Sequence, residues 1–274
     1  MSKQLLPIYD KPLIYYPLSV LLLANIRDIL IISTPEDIPQ YKRLLGNGSR
    51  IGINIEYAIQ DTPRGLADAF IIGEKFIGAG DGSVCLILGD NVFYGQYFSV
   101  LLEEVVTRVL RNGGAGIFGY PVGNPTEFGV VEFDSNQNAV SIEEKPKNPK
   151  SNYAVPGLYF YDKDVVGVAK SVKPSERGEI EITSINDHYL QKGRLHVTLM
   201  GRGMAWLDTG CADRMHKASG FIQSVQEMQG FYISCIEEIA WRRGFIDSKQ
   251  LLSLGEELSM TEYGQYLMGL VKEN

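Results

Sequence analysis

Residues 84–91 read VCLILGDN, five apolar residues that stop at a glycine and then deliver an acid and an amide. The run reads as a buried strand, and Gly89 turns the backbone so that Asp90 and Asn91 emerge at the strand's carboxyl end. In open α/β sheets that end is where ligands are met. Working outward, strand-like runs at 29–33 and 53–58 precede it, with helical stretches at 12–24, 39–45 and 66–76 between. This βα rhythm predicts a mixed, mostly parallel sheet covered on both faces, a Rossmann-like three-layer α/β/α sandwich. Further strands are expected at 116–120, 157–161 and 195–200, and residues 128–145 read as a hairpin turning on 135–138. After Asp208 the pattern is helical, through 211–229 and further segments to 274. The expected division is therefore a core of 1–210 and a helical region of 211–274, packed on it.

Composition sets the class. The chain has 274 residues, 45% of them hydrophobic and 22% charged, enough to bury a sizeable core. Its net charge of −7, with no segment rich in Lys or Arg, disfavours nucleic acid as a partner. The apolar run 12–24 is broken by Pro17, bounded by Asp10 and Arg27, and too short to span a bilayer, so no membrane partner is expected. Cys85, Cys211 and Cys235 form no C-x-x-C pair, and His188, His196 and His216 lack ligand spacing. A cytoplasmic protein without a disulfide framework or zinc ribbon fits that usage.

A second acid repeats the plan of the first. In MAWLDTG, residues 204–210, Asp208 leaves an apolar run and Thr209-Gly210 turn into a helix. Each acid has a plain reading, an Asx turn for Asp90 and a helix cap for Asp208. As a pair at strand ends they make the oxygen donor set that takes Mg²⁺ together with substrate phosphates. Lys3, Lys145 in IEEKP and Arg177 in KPSERGEIEIT stand beside turn residues, where a cation can be aimed at phosphate or simply solvated. GAGDGS, residues 78–83, has the order helix, glycines, strand, which disfavours a dinucleotide fingerprint. In YAIQDTPRGLADAF, residues 57–70, Gln60 ends a strand and Gly65 opens a helix. Gln60 offers donor and acceptor to a pyrimidine edge, and Gly65 allows a base close to the backbone.

Taken together, SKQLLPIYDKPLIYYPLS (2–19), DTPRGLADAF (61–70), LGDNVFYG (88–95), FGVVEFD (128–134), EEKPKNPKSNYAVPGLYFYD (143–162), RGEIEIT (177–183) and WLDTG (206–210) resemble the sugar-nucleotide pyrophosphorylases. The likeness is strongest to the branch that makes dTDP-glucose, and it covers essentially the whole chain. It implies a nucleotidyltransferase core and the reaction of dTTP with α-D-glucose 1-phosphate to give dTDP-glucose and pyrophosphate, the first step toward dTDP-L-rhamnose. By position it makes Asp90 and Asp208 the Mg²⁺ ligands, Lys3 a triphosphate contact, and Gln60 and Gly65 the thymine-binding pair. Asn91, Gly129, Glu144 and Val155 would hold the sugar ring, with Lys145 and Arg177 on the sugar phosphate. Phe128 stands where the family usually has Tyr, one hydroxyl fewer.

The resemblance further implies a homotetramer and an effector site in YISCIEEIAWRRGFID, residues 232–247, using Cys235, Glu238, Ile239 and Arg242, with Ile236 in place of a common Pro. In the family a first strand and a loop GGxGTRLxPxT precede the segment that begins at Lys3. They would supply amides and an arginine to the triphosphate, so residues 1–274 alone are expected to give no detectable turnover. Two alternatives stay open. Gln60 pairs with either pyrimidine, which allows a uridylyltransferase, and a chain lacking that loop allows a non-catalytic sugar-nucleotide binder.

Overall fold

The structure, a computed structural model, describes residues 2–80, 82–175 and 178–272. Its first elements form a small hairpin, β1 (Pro7–Ile8) on β2 (Lys11–Pro12), turned through Tyr9 at φ 60°. The hairpin delays the first helix, expected from residue 12, to α1 (Tyr15–Leu23). Residues 16–22 of α1 are all buried, as a helix without a polar face must be. Pro17 is tolerated because it falls in the first turn, where the N–H has no intrahelical partner to lose.

Next come β3 (Asp28–Ser33), α2 (Ile38–Leu45) and β4 (Asn54–Ile59). The expected helix 66–76 is two helices, α3 (Asp68–Ile72) and α4 (Glu74–Gly78), separated at Gly73. β5 (Ser83–Ile87) and β6 (Asn91–Tyr94) flank Gly89 and Asp90. α5 (Phe98–Asn112) is an element the sequence reading passes over, although its buried Phe98, Leu102, Val105 and Val109 recur at helical spacing. There follow β7 (Ala115–Pro121), the hairpin of β8 (Gly129–Phe133) and β9 (Ala139–Glu144), β10 (Tyr153–Ala154), β11 (Leu158–Asp162), α6 (Val165–Ser171), α7 (Ile182–Gln191), β12 (Leu195–Leu199) and β13 (Ala205–Asp208). The C-terminal stretch is helical as expected: α8 (Ala212–Gln229), α9 (Ile236–Arg242), α10 (Ser248–Glu257) and α11 (Glu262–Lys272).

The chain divides into two compact units. The first comprises Met1–Tyr57, Gly89–Tyr94 and Leu207–Asn274; the second, Ala58–Leu88 and Gly95–Trp206.

The second unit holds a seven-stranded sheet in the order β5-β11-β7-β10-β8-β9, with β12 on β7. The sheet is mixed, but the parallel majority expected from the sequence is corrected by the ladders. β12 runs parallel to β7, whereas the β5·β11, β11·β7, β7·β10, β10·β8 and β8·β9 pairs are antiparallel. For β8·β9 the reason is connection length, since a parallel neighbour needs a crossover of a dozen residues or so and the link between these strands is too short for one. On one face Ala67 at the cap of α3, Phe70 of α3, Val165 and Ala169 of α6, and Ile182, Ile185 and Tyr189 of α7 pack against Ile117, Tyr159 and Tyr161. On the other, Val105 of α5 lies over Gly116, and the unit is a three-layer α/β/α sandwich.

The first unit joins distant parts of the sequence. Ile8, Leu13 and Tyr16 from the N-terminal segment pack with Val92 of β6 and with Ala218, Ile222 and Val225 of α8. Lys11, only 4% exposed, donates to Asp10 Oδ1 at 2.7 Å and Gln226 Oε1 at 3.4 Å. Burial pushes its ammonium pKa down, and the Asp10 carboxylate opposes that shift.

Candidate active site

Two strand ends meet in the first unit. Thr209, fully buried, places its N–H 3.0 Å and its hydroxyl 2.7 Å from the carbonyl oxygen of Asp90. This fork sets the backbone carrying Asp208 beside the backbone carrying Asp90. The two acids named from the sequence therefore share one locus. Asp90 Oδ1 accepts from the Asn91 amide at 3.0 Å, and Oδ2 pairs with Lys3 Nζ at 2.5 Å. Asp208 Oδ1 accepts the Gly210 N–H at 3.0 Å, and Oδ2 pairs with Arg214 Nη1 at 2.6 Å. Neither acid stands as an isolated cap. Each is paired with a cation, Lys3 on Asp90 and Arg214 on Asp208.

Lys3 lies in a 3₁₀ turn, Lys3–Leu5, that is pinned from both sides. Ser2 N–H donates to Asp37 Oδ1 at 2.9 Å, the Ser2 hydroxyl meets Tyr41 at 2.8 Å, and Gln4 packs on Gly89. The donors gathered here are hard oxygens, and among the described residues no three His, Cys, Asp or Glu side chains cluster as a metal cage. Two carboxylates that leave the other coordination positions to phosphate and water suit Mg²⁺. The residues present fit that ion.

The second unit brings together Gly129, Glu144 and Val155. Gly129 and Glu144 are opposite one another in the β8·β9 ladder, and the Val155 N–H donates to the Gly129 carbonyl at 2.8 Å. A Cβ on Gly129 would stand 3.2 Å from Thr183 Oγ1, 3.4 Å from Glu144 Oε2 and 3.9 Å from the Val155 Cβ, so the backbone here is bare where three side chains converge. The Thr183 hydroxyl donates to Glu144 and fixes its carboxylate. Lys145, at φ 45°, has its ammonium 3.9 Å from Glu144 and its N–H on the Phe128 carbonyl at 2.9 Å. The Phe128 ring meets Trp206 edge-on at 5.0 Å.

Gln60 and Gly65 also lie in the second unit. Gln60 donates to Asp68 at 2.9 Å, and Arg64 pairs with the same carboxylate at 3.1 Å. Asp68 is 1% exposed, a buried acid at the base of the loop. Gly65 has φ +98°, and a Cβ there would come within 2.5 Å of the Ile180 carbonyl oxygen. Segment 178–180 thus braces the loop, with Ile180 N–H on the Arg64 carbonyl at 2.7 Å. Arg177 lies outside the described residues, and Asn91, 2% exposed, belongs to the first unit rather than to the set around Glu144.

Cys235, Glu238, Ile239 and Arg242 fall on α9 or at its start, in the first unit. Cys235 is 1% exposed and receives the Tyr263 hydroxyl at 3.2 Å; burial pushes its thiol pKa up. Glu238 takes Arg242 at 2.7 Å and the Tyr266 hydroxyl at 2.6 Å, while Arg242 leans over the Trp241 ring. Sequence reasoning missed Arg214, Thr209, Thr183 and Asp68 as members of these sets. Thr183, inside RGEIEIT, Thr209, inside WLDTG, and Asp68, inside DTPRGLADAF, lie within the motifs that carry the resemblance. Arg214 reads as an ordinary helix residue.

A fold of this kind, with an acid pair at strand ends, defines a nucleotidyl-transferring protein, and the chain belongs to the nucleotidyl transferase family, whose model matches residues 1–225. Within that family its similarity runs to the glucose-1-phosphate thymidylyltransferases. The Neisseria gonorrhoeae enzyme is 56% identical over 271 residues, covering 99% of this chain and 92% of that one. The Mycobacterium tuberculosis enzyme is 52% identical over 274 residues, covering 100% and 93%. A Bacillus anthracis crystal structure assigned to the same enzyme, in complex with a sucrose, aligns with a TM-score of 0.72 at 37% identity over 80% of this chain and 85% of that one.

Proposed function

We propose that the protein transfers a thymidylyl group from dTTP to α-D-glucose 1-phosphate, releasing pyrophosphate and forming dTDP-glucose. The single observation that carries this reading onto the chain's own residues is the Thr209 fork, which draws Asp208 to Asp90 with Lys3 already on the acid pair. Names of relatives at 52–56% identity over nearly the full chain support the choice of nucleotide and sugar.

The nucleophile needs little help from a base. A phosphate monoester has its second pKa near about 6, so the sugar phosphate is largely dianionic at neutral pH. The difficulty is to bring two anions together in line, and that is a matter of positioning and charge. Asp90 and Asp208 would hold Mg²⁺, which when bound screens the phosphate charges. Lys3 is placed to exchange its bond with Asp90 for one with phosphate. Glu144, fixed by Thr183 beside the bare backbone of Gly129, accepts sugar hydroxyls, and Val155 supplies an apolar wall. Gln60, held by Asp68, faces the pyrimidine edge, while Gly65 lets the base approach the backbone. Lys145 serves the sugar phosphate.

The finer parts of the reading are Mg²⁺ as cofactor, a homotetramer, and a cytoplasmic role at the head of dTDP-L-rhamnose synthesis. No helix among the described residues is long and apolar enough to cross a membrane. The test is pyrophosphate release from glucose 1-phosphate with dTTP and with UTP, assayed on the chain carrying the family's first strand and GGxGTRLxPxT loop ahead of Lys3. At least ten-fold higher kcat/KM with dTTP is expected. A strict preference for UTP, or release from neither nucleotide, overturns the reading.

A further inference from the structure

In the site as it stands, all four carboxylate oxygens of the acid pair already have donors. Asp90 is held by Asn91 and Lys3, and Asp208 by the Gly210 N–H and Arg214. Each carboxylate oxygen keeps a second lone pair for a divalent cation, but the cation must share that oxygen with the donor already on it, and where the donor is itself a cation the two repel. Lys3 already has a phosphate to go to in the proposed reaction. Arg214 has no such assignment. It lies in the first turn of α8, and its guanidinium touches the carboxylate oxygen that the Gly210 N–H leaves open.

We infer that Arg214 is a resident counter-cation that competes with the divalent metal for Asp208, and so sets the metal concentration at which the site fills. This rests on reading Asp208 as a metal ligand. The physical basis is the double role of a guanidinium beside a carboxylate. It suppresses repulsion between Asp208 and Asp90 while the metal is away, and every increment of that stabilisation is subtracted from the gain on metal binding. The pair is only partly exposed, with side-chain exposures of 35% and 22%, so it is neither a solvated surface contact nor a sealed structural one. Arg214 is thus a positioning residue whose hold on Asp208 weakens as the metal binds.

The same helix supplies a control. Lys217 pairs with Asp213 at 2.7 Å, and both are largely exposed, so Lys217→Gln removes the same formal charge without touching Asp208. The experiment titrates Mn²⁺ into the full chain and follows the free-ion signal by electron paramagnetic resonance. Variants are Arg214→Gln, Arg214→Lys, Lys217→Gln and Asp208→Asn, each checked for fold by its circular dichroism melt. Losing one charge-assisted pair should tighten Mn²⁺ binding about ten-fold in Arg214→Gln. Arg214→Lys should tighten it about three-fold, because a compact, more strongly hydrated ammonium replaces the guanidinium contact through Nη1, and Lys217→Gln should stay within about two-fold of the parent. Unchanged or weaker Mn²⁺ binding in Arg214→Gln overturns the inference. If that variant does not fold, an unshifted Arg214→Lys does the same. Asp208→Asn separates the two claims: Mn²⁺ affinity unaffected by it sinks the metal reading itself, whereas a loss there with no Arg214 effect sinks the counter-cation alone.

Discussion

The acid pair in the first unit and the Glu144 cluster in the second are held in opposite ways. Around Asp90 and Asp208 the clasps are Lys3 and Arg214, long side chains that can let go. Around Glu144 the clasps are a ladder register, a backbone bond from Val155 to Gly129 and a buried-side hydroxyl from Thr183. Charge neutralised by a flexible cation can be handed to another anion, while a shape set by backbone hydrogen bonds stays as built. The first locus is suited to ligands whose charge changes during a turnover. The second suits a neutral ring that must be recognised without changing.

The comparison breaks most visibly at the acids. Asp90→Asn and Asp208→Asn should each lower kcat by about 1,000-fold or more, in line with removing a group that stabilises transferring charge. Their melting temperatures should stay close to the parent, because each asparagine still accepts one of the two bonds. Pyrophosphate release and a thermal melt together check this. A variant that retains most of its kcat would remove that acid from the chemistry.

At the rigid locus the expected losses are smaller and fall on binding. Gly65→Ala places a Cβ against the Ile180 backbone at φ +98°, a strain of about 1–3 kcal/mol that the loop must relieve by moving. KM for dTTP should rise roughly ten-fold, with KM for glucose 1-phosphate nearly constant. Thr183→Val removes the donor that fixes Glu144 and should cost about 1 kcal/mol, read as a several-fold rise in KM for glucose 1-phosphate alone. Equal changes in both KM values for either variant would show that the Gly65 loop and the Glu144 cluster are not independent.

The smallest effect sharpens the contrast with a third site. Burial raises the Glu237 carboxyl above the ordinary 4.5, against the opposing hydrogen bond from Tyr263 and the charge of Lys11. A raised acid contributes stability that is fully present below 4.5 and is lost as pH rises through its folded value. Glu237→Gln keeps an acceptor for Tyr263 and removes the charge. The melting temperature at pH 7 should rise by about 1–3 °C, and its fall as pH rises above 4.5 should flatten. A steeper fall in the variant would mean that Glu237 is stabilised as an anion.

What the sequence discloses follows from how far each contact reaches along the chain. Asp90, Asn91 and Asp208 are legible because a strand end is a local event, an apolar run meeting a turn residue. Gly129 and Glu144 are named only by the family resemblance, and the β8·β9 ladder sets them opposite one another. The antiparallel majority is hidden, since β11 is inserted between β5 and β7 by pairing, and no periodicity in residues 158–162 announces a direction. Arg214 and Asp68 are hidden for a related reason. On a helix a lone charge reads as solvated, and only the folded chain brings Arg214 to Asp208 or makes Asp68 the acceptor for Gln60. α5 was within reach, because its apolar stripe is periodic.

Thr209 gives the acid pair a mechanical character. Its N–H and its hydroxyl both close on one atom, the Asp90 carbonyl oxygen, so the amide sets the separation of the two strand ends and the hydroxyl blocks rotation about that link. The joint is a pin with its swivel locked. Any displacement of the α8 end of Asp208 is passed to Asp90 as a rigid translation, and the span between the two acids has almost no play of its own. A cation shared by the two acids, as proposed for the site, would meet backbones whose spacing is already set, so that only side chains would have to move to receive it.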